Sequence, residues 1–370
     1  VLEVDVSTGR TRSRVSGRAG VMNWYADGAG VVRMGRGYDD SSRTSRLLYR
    51  DSEDKGFRLV DRASAKRDET LTMPALFLAA PGKAIAWGKE DGRDILRKLD
   101  LATLELGDTI YARPGYDLDS IISNRNGDGL AGVRFTDTRE RVHWFDPELA
   151  HVQAQLDTAV GADRTAQIVS FNADQTRMIV HVGGPDQPGS YYYFNTASGA
   201  MQRFAYVSNT INGRQSPVTT IRYKARDGLE IPAILTLPKG REAKNLPLIV
   251  MPHGGPAARD TERWDWEVQF LASRGYAVIQ PNYRGSTGYG SEFQERGDGE
   301  WGLKMQDDLN DAVAHLAKEG VADPKRVCMV GSSYGGYAAM RAAQRDGSLY
   351  RCAASFAGVS DLSHLARHDS

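Results

Sequence analysis

Residues 326–340 read RVCMVGSSYGGYAAM: a short apolar run, a sharp turn and the start of a helix. The turn carries Ser333 within Gly331-Ser332-Ser333-Tyr334-Gly335, which fits the G-x-S-x-G pattern of a serine held at the tip of a strand-to-helix turn. A residue at such a tip has a strained backbone, and bulky side chains two positions before and two after it would collide. Gly331 and Gly335 remove that crowding. The helix that follows brings backbone N–H groups and the positive end of its dipole beside whatever Ser333 attacks. A tight turn of no chemical consequence would use the same small residues, so the flanking chain has to decide between the two readings.

From residue 217 onward strands alternate with helices, the pattern of a parallel α/β sheet. The runs 219–224 and 230–237 flank Asp227-Gly228, a hairpin signal, and Pro232 predicts a sheet edge for the second run. Strands are predicted at 246–252, 276–280, 327–331 and 352–357, and helices at 264–274 and 301–319. The last of these helices places Met305, Leu309, Ala312, Val313 and Leu316 on one face, with Asp307, Asp308 and Asp311 expected on the wet side. His253-Gly254-Gly255-Pro256 directly follows the 246–252 strand. A glycine pair there lets main-chain N–H groups approach a substrate carbonyl unobstructed, as an oxyanion hole requires.

The first half reads differently. Residues 1–206 show no amphipathic helix but many short strand-like runs, and they repeat. Similar turn sequences recur around Asp5, Asp51, Asp100, Asp146 and Asn195, at intervals of 46 to 49 residues. A second turn, at Asp27-Gly28, Pro81-Gly82, Asp128-Gly129 and Ala173-Asp174, precedes each of the last four. Two hairpins per repeat fill a four-stranded propeller blade, which predicts four blades and part of a fifth. A β-sandwich would not repeat one turn at near-constant spacing. A chain that opens inside a blade suggests further blades before Val1. Tyr191, Tyr192 and Tyr193 mark a strand of the fourth blade. The expected division is a propeller over 1–207 and an α/β-hydrolase domain over 217–370.

Lys plus Arg equals Asp plus Glu at 47 each, which gives no basis for a nucleic-acid partner or an anionic membrane surface. No stretch reaches 18 apolar residues, so a soluble chain is expected, its compartment open between cytoplasm and periplasm. His143, His151 and His181 lack ligand-like spacing, and neither a metal nor a cofactor is called for. Only Cys328 and Cys352 occur. Neighbouring strands could bring them together for one bridge, but two separate core thiols are the simpler expectation.

With His253-Gly254-Gly255-Pro256, then QPNYRGSTGYG over 280–290, WGLKMQDDL over 301–309 and GSSYGGYAA over 331–339, the chain resembles the prolyl oligopeptidase family of serine peptidases, in its acylaminoacyl-peptidase and dipeptidyl-peptidase-like branch. The family's order, propeller then hydrolase domain, matches the repeat found above. The resemblance implies Ser333 as nucleophile and the N–H groups of Tyr334 and Gly255 as oxyanion donors. Some relatives carry a tyrosine where His253 stands, so a part for His253 in the hole or a structural one are both open. Arg284 is implied either in substrate binding or in a structural pair with a carboxylate. Short peptides are the implied substrates, and a homodimer is compatible with the family. An esterase or isopeptidase on the same scaffold, or a propeller binding module with an inactive hydrolase domain, are the alternatives.

The family's triad follows the order Ser, Asp, His. Downstream of Ser333 stand only Asp346, Asp361, Asp369, His364 and His368; His364 and His368 lie one turn apart immediately after the 352–357 strand rather than at the end of the sheet, and His315 lies mid-helix ahead of the elbow. The base and its aspartate are therefore expected beyond Ser370, and the 370 residues alone are expected to be essentially inactive.

Overall fold

The aspartates that set the repeat are turn builders. Asp5 Oδ1 accepts from the N–H groups of Ser7 (2.9 Å) and Thr8 (3.3 Å), and Asp100 Oδ1 from those of Ala102 (2.9 Å) and Thr103 (3.2 Å). Asn195 Oδ1 repeats the pattern with Ala197 (3.1 Å) and Ser198 (3.2 Å). A short side-chain oxygen at this spacing stands in for a backbone turn, which explains why only Asp or Asn recurs there.

The computed structural model describes residues 1–67, 69–211 and 213–368. The hairpins between these turns form four-stranded antiparallel meanders, the blade unit of a propeller. One comprises Asn23–Ala26, Val32–Asp39, Thr44–Tyr49 and Arg58–Ser64. The next comprises Pro74–Phe77, Lys83–Glu90, Arg93–Asp100 and Leu106–Tyr111, and the last Thr165–Phe171, Arg177–Gly184, Gln187–Asn195 and Ala200–Tyr206. A three-stranded sheet (Leu118–Ser123, Leu130–Thr136, Glu140–Trp144) falls between them in sequence, and a hairpin of Leu2–Val4 and Thr11–Ser13 precedes them all.

The three-stranded blade corrects the expectation that this half has no amphipathic helix. Where a fourth strand would run, Pro147–Val160 is an α-helix whose buried residues are Leu149, Val152 and Leu156, at helical spacing. Pro147 opens it, where a missing N–H is no loss. Ala, Gln and Thr dilute the apolar stripe, so its period does not stand out in the sequence.

By packing, the chain divides into two compact units, Val1–Phe135 with Val142–Asp146, and Thr136–Arg141 with Pro147–Ser370. Met34, Leu47, Ala84 and Leu99 lie in the core of the first. The second holds a six-stranded sheet in the order Val218–Lys224, Glu230–Thr236, Ala277–Pro281, Leu246–Val250, Ala322–Ser332, Cys352–Phe356. The first two pairings are antiparallel and the remaining three parallel. Strand residues alternate between faces. Leu248, Val250, Ile279 and Met329 pack with Leu309 and Val313 of the helix Lys304–Lys318 and with Ala338 of the helix Tyr334–Arg345. Ile249 and Val278 turn the other way, onto Val268 of the helix Trp266–Ser273.

Two expectations change here. Pro232 lies on an internal strand, but pairing toward Ala277–Pro281 begins only at Ala233, so its missing N–H falls where the strand has one ladder neighbour. Cys328 and Cys352 stand directly opposite on adjacent parallel strands, 4.7 Å apart at Cα, and form a disulfide rather than two separate thiols. That register depends on strand pairing, which cysteine spacing alone does not define.

The helix Pro147–Val160 can be tested by its burial pattern. Leu149→Ala is expected to lower unfolding free energy by about 2–5 kcal/mol, and His151→Ala, on the exposed side, by less than about 0.5 kcal/mol. Urea titrations of both variants check the contrast.

Candidate active site

Ser333 has φ 58° and ψ −121° and opens the helix Tyr334–Arg345 at the end of the strand Ala322–Ser332. Few L-residues adopt such angles, and here the surroundings leave no alternative. Its N–H donates to the Phe356 carbonyl (3.0 Å), and its own carbonyl accepts from Tyr337 N–H (3.0 Å). A Cβ on Gly331 would collide with the Gly335 backbone, and one on Gly335 with the Pro252 carbonyl oxygen. Both glycines of the motif are therefore required by close approach, and Gly335 brings the elbow against the loop that begins at Pro252.

That loop faces the serine. A Cβ on Gly254 would stand 3.3 Å from Ser333 Cβ and 3.7 Å from its Oγ. Tyr283 Oη donates to the His253 carbonyl (2.7 Å), and His253 Nδ1 donates to the Gly254 carbonyl (2.7 Å). A trans peptide points its C=O and N–H in opposite directions, so holding these two carbonyls turns the N–H groups of Gly254 and Gly255 to the other side.

His253 is partly buried, with its ring held on several sides. Its ring stacks on Tyr283 with centroids 4.5 Å apart, and its Nε2 lies 3.0 Å from Ser286 Oγ. Burial lowers its pKa to about 4, so it is neutral near pH 7, with both ring nitrogens engaged. The stack continues from Tyr283 to Tyr334 (5.3 Å), which Trp301 meets edge-on (4.6 Å).

Arg284 is 3% exposed and enclosed by carboxylates. It meets Asp308 through Nε (2.9 Å) and Nη2 (2.7 Å), and Asp227 through Nη1 (2.8 Å) and Nη2 (3.1 Å). Burial opposes its charge, and these bonds more than offset that, so the guanidinium stays charged. With each guanidinium nitrogen bonded to a carboxylate, the geometry is that of the structural pair. Asp308, expected on the wet side of its helix, is fully buried in this contact. Only the position of Arg284, 24 residues earlier, explains it.

The remaining candidates lie elsewhere. His315 stacks on Tyr223 (5.8 Å), Asp346 pairs with Arg345 (3.0 Å), and Asp361 Oδ1 accepts from the His364 N–H (2.9 Å). Asp369 and the His368 side chain are outside the described residues. Among the described residues, no cluster of three or more His, Cys, Asp or Glu is placed to hold a metal, and no helix is long and apolar enough to cross a membrane.

Sequence reading did not single out Asp260. It is 8% exposed, and its backbone is laced to the Asn282 side chain (2.7 and 2.9 Å). Its Oδ2 has no hydrogen-bond partner. It lines a cavity of about 650 Å³ together with Pro252, Gly254, Trp266 and Ser332. Burial raises its carboxyl pKa to about 7.

Residues 262–370 match the model of the prolyl oligopeptidase family. Over 200 residues the chain is 35% identical to dipeptidyl aminopeptidase BIII of Pseudoxanthomonas mexicana, covering 52% of this chain and 29% of that protein. It is 31% identical over 183 residues to the acylamino-acid-releasing enzyme of Sus scrofa, covering 47% and 24%. A puromycin-hydrolysing peptidase of Mycobacterium tuberculosis superposes with a TM-score of 0.70 at 22% identity, covering 97% of this chain and 56% of that one. The chain thus spans under a third of these curated relatives and about half of the solved one. The structural likeness shows the fold, a β-propeller followed by an α/β-hydrolase domain.

Asp260 provides a test with a definite sign. A carboxyl raised from 3.8 to about 7 keeps in the fold a proton that the unfolded chain has lost across that window, so its contribution to stability falls as pH rises. Asp260→Asn is expected to gain on the wild type between about pH 4 and 7, by at most about 4 kcal/mol. Denaturant titrations at stepped pH check this, and a difference that is flat with pH overturns it.

Proposed function

We propose that this protein, whose residues 262–370 belong to the prolyl oligopeptidase family, is a serine peptidase that cleaves short peptides through an acyl-enzyme on Ser333. The observation that carries the reading is the elbow itself. Ser333 is held at φ 58° at a helix start, with Gly254 of the facing loop closed against it. Oγ attacks the scissile carbonyl, and the oxyanion that forms is taken by the N–H of Tyr334 and by those of the Gly254-Gly255 segment. Collapse expels the amine, and water then releases the acyl group.

This mechanism calls for a histidine base oriented by an aspartate. His253 is engaged through both nitrogens and His315 stacks on Tyr223, so the reading assigns that role to neither. Blades over 1–207 would limit access to small substrates, with 217–370 as the catalytic domain. The names of the relatives favour an exopeptidase that releases dipeptides or acylated residues from an N-terminus.

The esterase reading rests on the same elbow. The degenerate-module reading is disfavoured by it, because a site without use has no reason to keep Ser333 between both glycines. On the complete natural protein, Ser333→Ala is expected to cut hydrolysis of dipeptidyl and acyl-aminoacyl anilides by about 10⁴-fold or more. A fluorophosphonate should label Ser333 and nothing else. Faster turnover of p-nitrophenyl esters than of any peptide anilide would favour the esterase, and unchanged turnover in Ser333→Ala would sink both.

A further inference from the structure

We infer that Tyr283 is a positioning residue for the oxyanion hole, holding the loop donors and the donor after the nucleophile in register through one side chain. The inference rests on the acyl-transfer reading of Ser333 and adds to it a residue outside the motif.

Two segments that supply the hole meet at Tyr283. Its hydroxyl donates to the His253 carbonyl (2.7 Å) and lies 3.2 Å from His253 Nδ1, while its ring covers the imidazole at 4.5 Å and 19°. The opposite side of the network reaches the ring of Tyr334, at 5.3 Å and 27°. Tyr334 follows Ser333 directly, so its N–H position depends on where its ring is wedged. Tyr283 and Tyr334 are fully or almost fully buried, so neither ring can shift without opening a gap.

The hydroxyl does what the ring alone does not. By accepting from Tyr283, the His253 carbonyl is fixed in direction, and trans planarity then fixes the Gly254 N–H in the opposite sense. His253 Nδ1 fixes the next peptide in the same way. Ser286 Oγ, 3.0 Å from His253 Nε2 and 2.6 Å from the Tyr283 carbonyl, closes the circuit by setting the imidazole's rotation. Tyr283 itself is anchored by its neighbour, because Arg284 is bound through backbone and side chain to Asp308. Donors fixed before the oxyanion forms need no reorganisation as it does, so loosening this circuit should weaken transition-state binding and leave ground-state binding alone.

The test uses the complete natural protein and Tyr283→Phe, which keeps the ring and removes the hydroxyl. Turnover is expected to fall about tenfold with KM unchanged, and affinity for a peptide trifluoromethyl ketone, whose adduct carries the oxyanion, to fall by a similar factor. Affinity for the product peptide should not move. A lower melting temperature with kcat and ketone affinity unchanged overturns the inference, as does a rise in KM at constant kcat. Should Tyr283→Phe not fold, Ser286→Ala is expected to shift kcat in the same direction by a smaller factor, and an unaltered kcat there overturns it too. Wild-type turnover that vanishes in Ser333→Ala secures the underlying reading, so failure at Tyr283 stays separate from failure at Ser333.

Discussion

A serine at φ 58° and ψ −121° costs about 1–3 kcal/mol in backbone strain, and the second half of the chain is arranged to make any other conformation worse. Ser333 N–H is committed to Phe356 on the neighbouring strand and its carbonyl to the first turn of the helix. The glycines of the motif let that helix start against Gly331 and against the Pro252 carbonyl at the end of another strand. The elbow therefore links three parallel strands, Leu246–Val250, Ala322–Ser332 and Cys352–Phe356. Their pairing register determines where the hydroxyl stands. The disulfide between Cys328 and Cys352 lies in that same register, five residues before Ser333, and ties the serine's strand to the strand that receives its N–H.

The opposing wall is built by burial of polar groups that satisfy one another. Arg284 would be prohibitive in a core without Asp308 and Asp227, and its four side-chain bonds to them turn the NYRGS segment into a rigid strut. Tyr283 and Ser286, which flank Arg284, hold His253. Removing a charge from this cage would leave a buried ion unpaired, which is why the cage belongs to the architecture of the site and not to its chemistry.

The elbow was legible because its constraint is local: a pattern of glycines around a serine reports backbone strain directly. The blade repeat was legible for the same reason, since Asp5, Asp100 and Asn195 each accept from backbone N–H groups two and three positions on. Features that depend on distant pairing were not. Asp308 reads as a solvated acid on an amphipathic helix until Arg284 is seen against it, and the two cysteines read as independent until the strands are placed in register. The helix Pro147–Val160 was hidden by a weak apolar stripe in a half dominated by strand signals. Asp260 gave no signal at all, because burial of a lone carboxylate follows from the loop's path over Asn282 and from nothing in its sequence neighbours.

The character of His253 follows from the same packing. A histidine next to a serine nucleophile invites a part in proton transfer, yet a general base must present a lone pair to the hydroxyl it serves. This imidazole donates its one N–H, on Nδ1, to its own chain and sets Nε2 3.0 Å from Ser286 Oγ, and burial keeps it neutral down to about pH 4. A neutral ring adds no charge that titrates beside Ser333 at working pH. It acts instead as a spacer whose thickness and hydrogen bonds define where two glycine amides point. A tyrosine at the same position could send a hydroxyl into the hole itself. With histidine there, the proposed reading leaves donation to the main chain, whose orientation the surrounding aromatic residues would control.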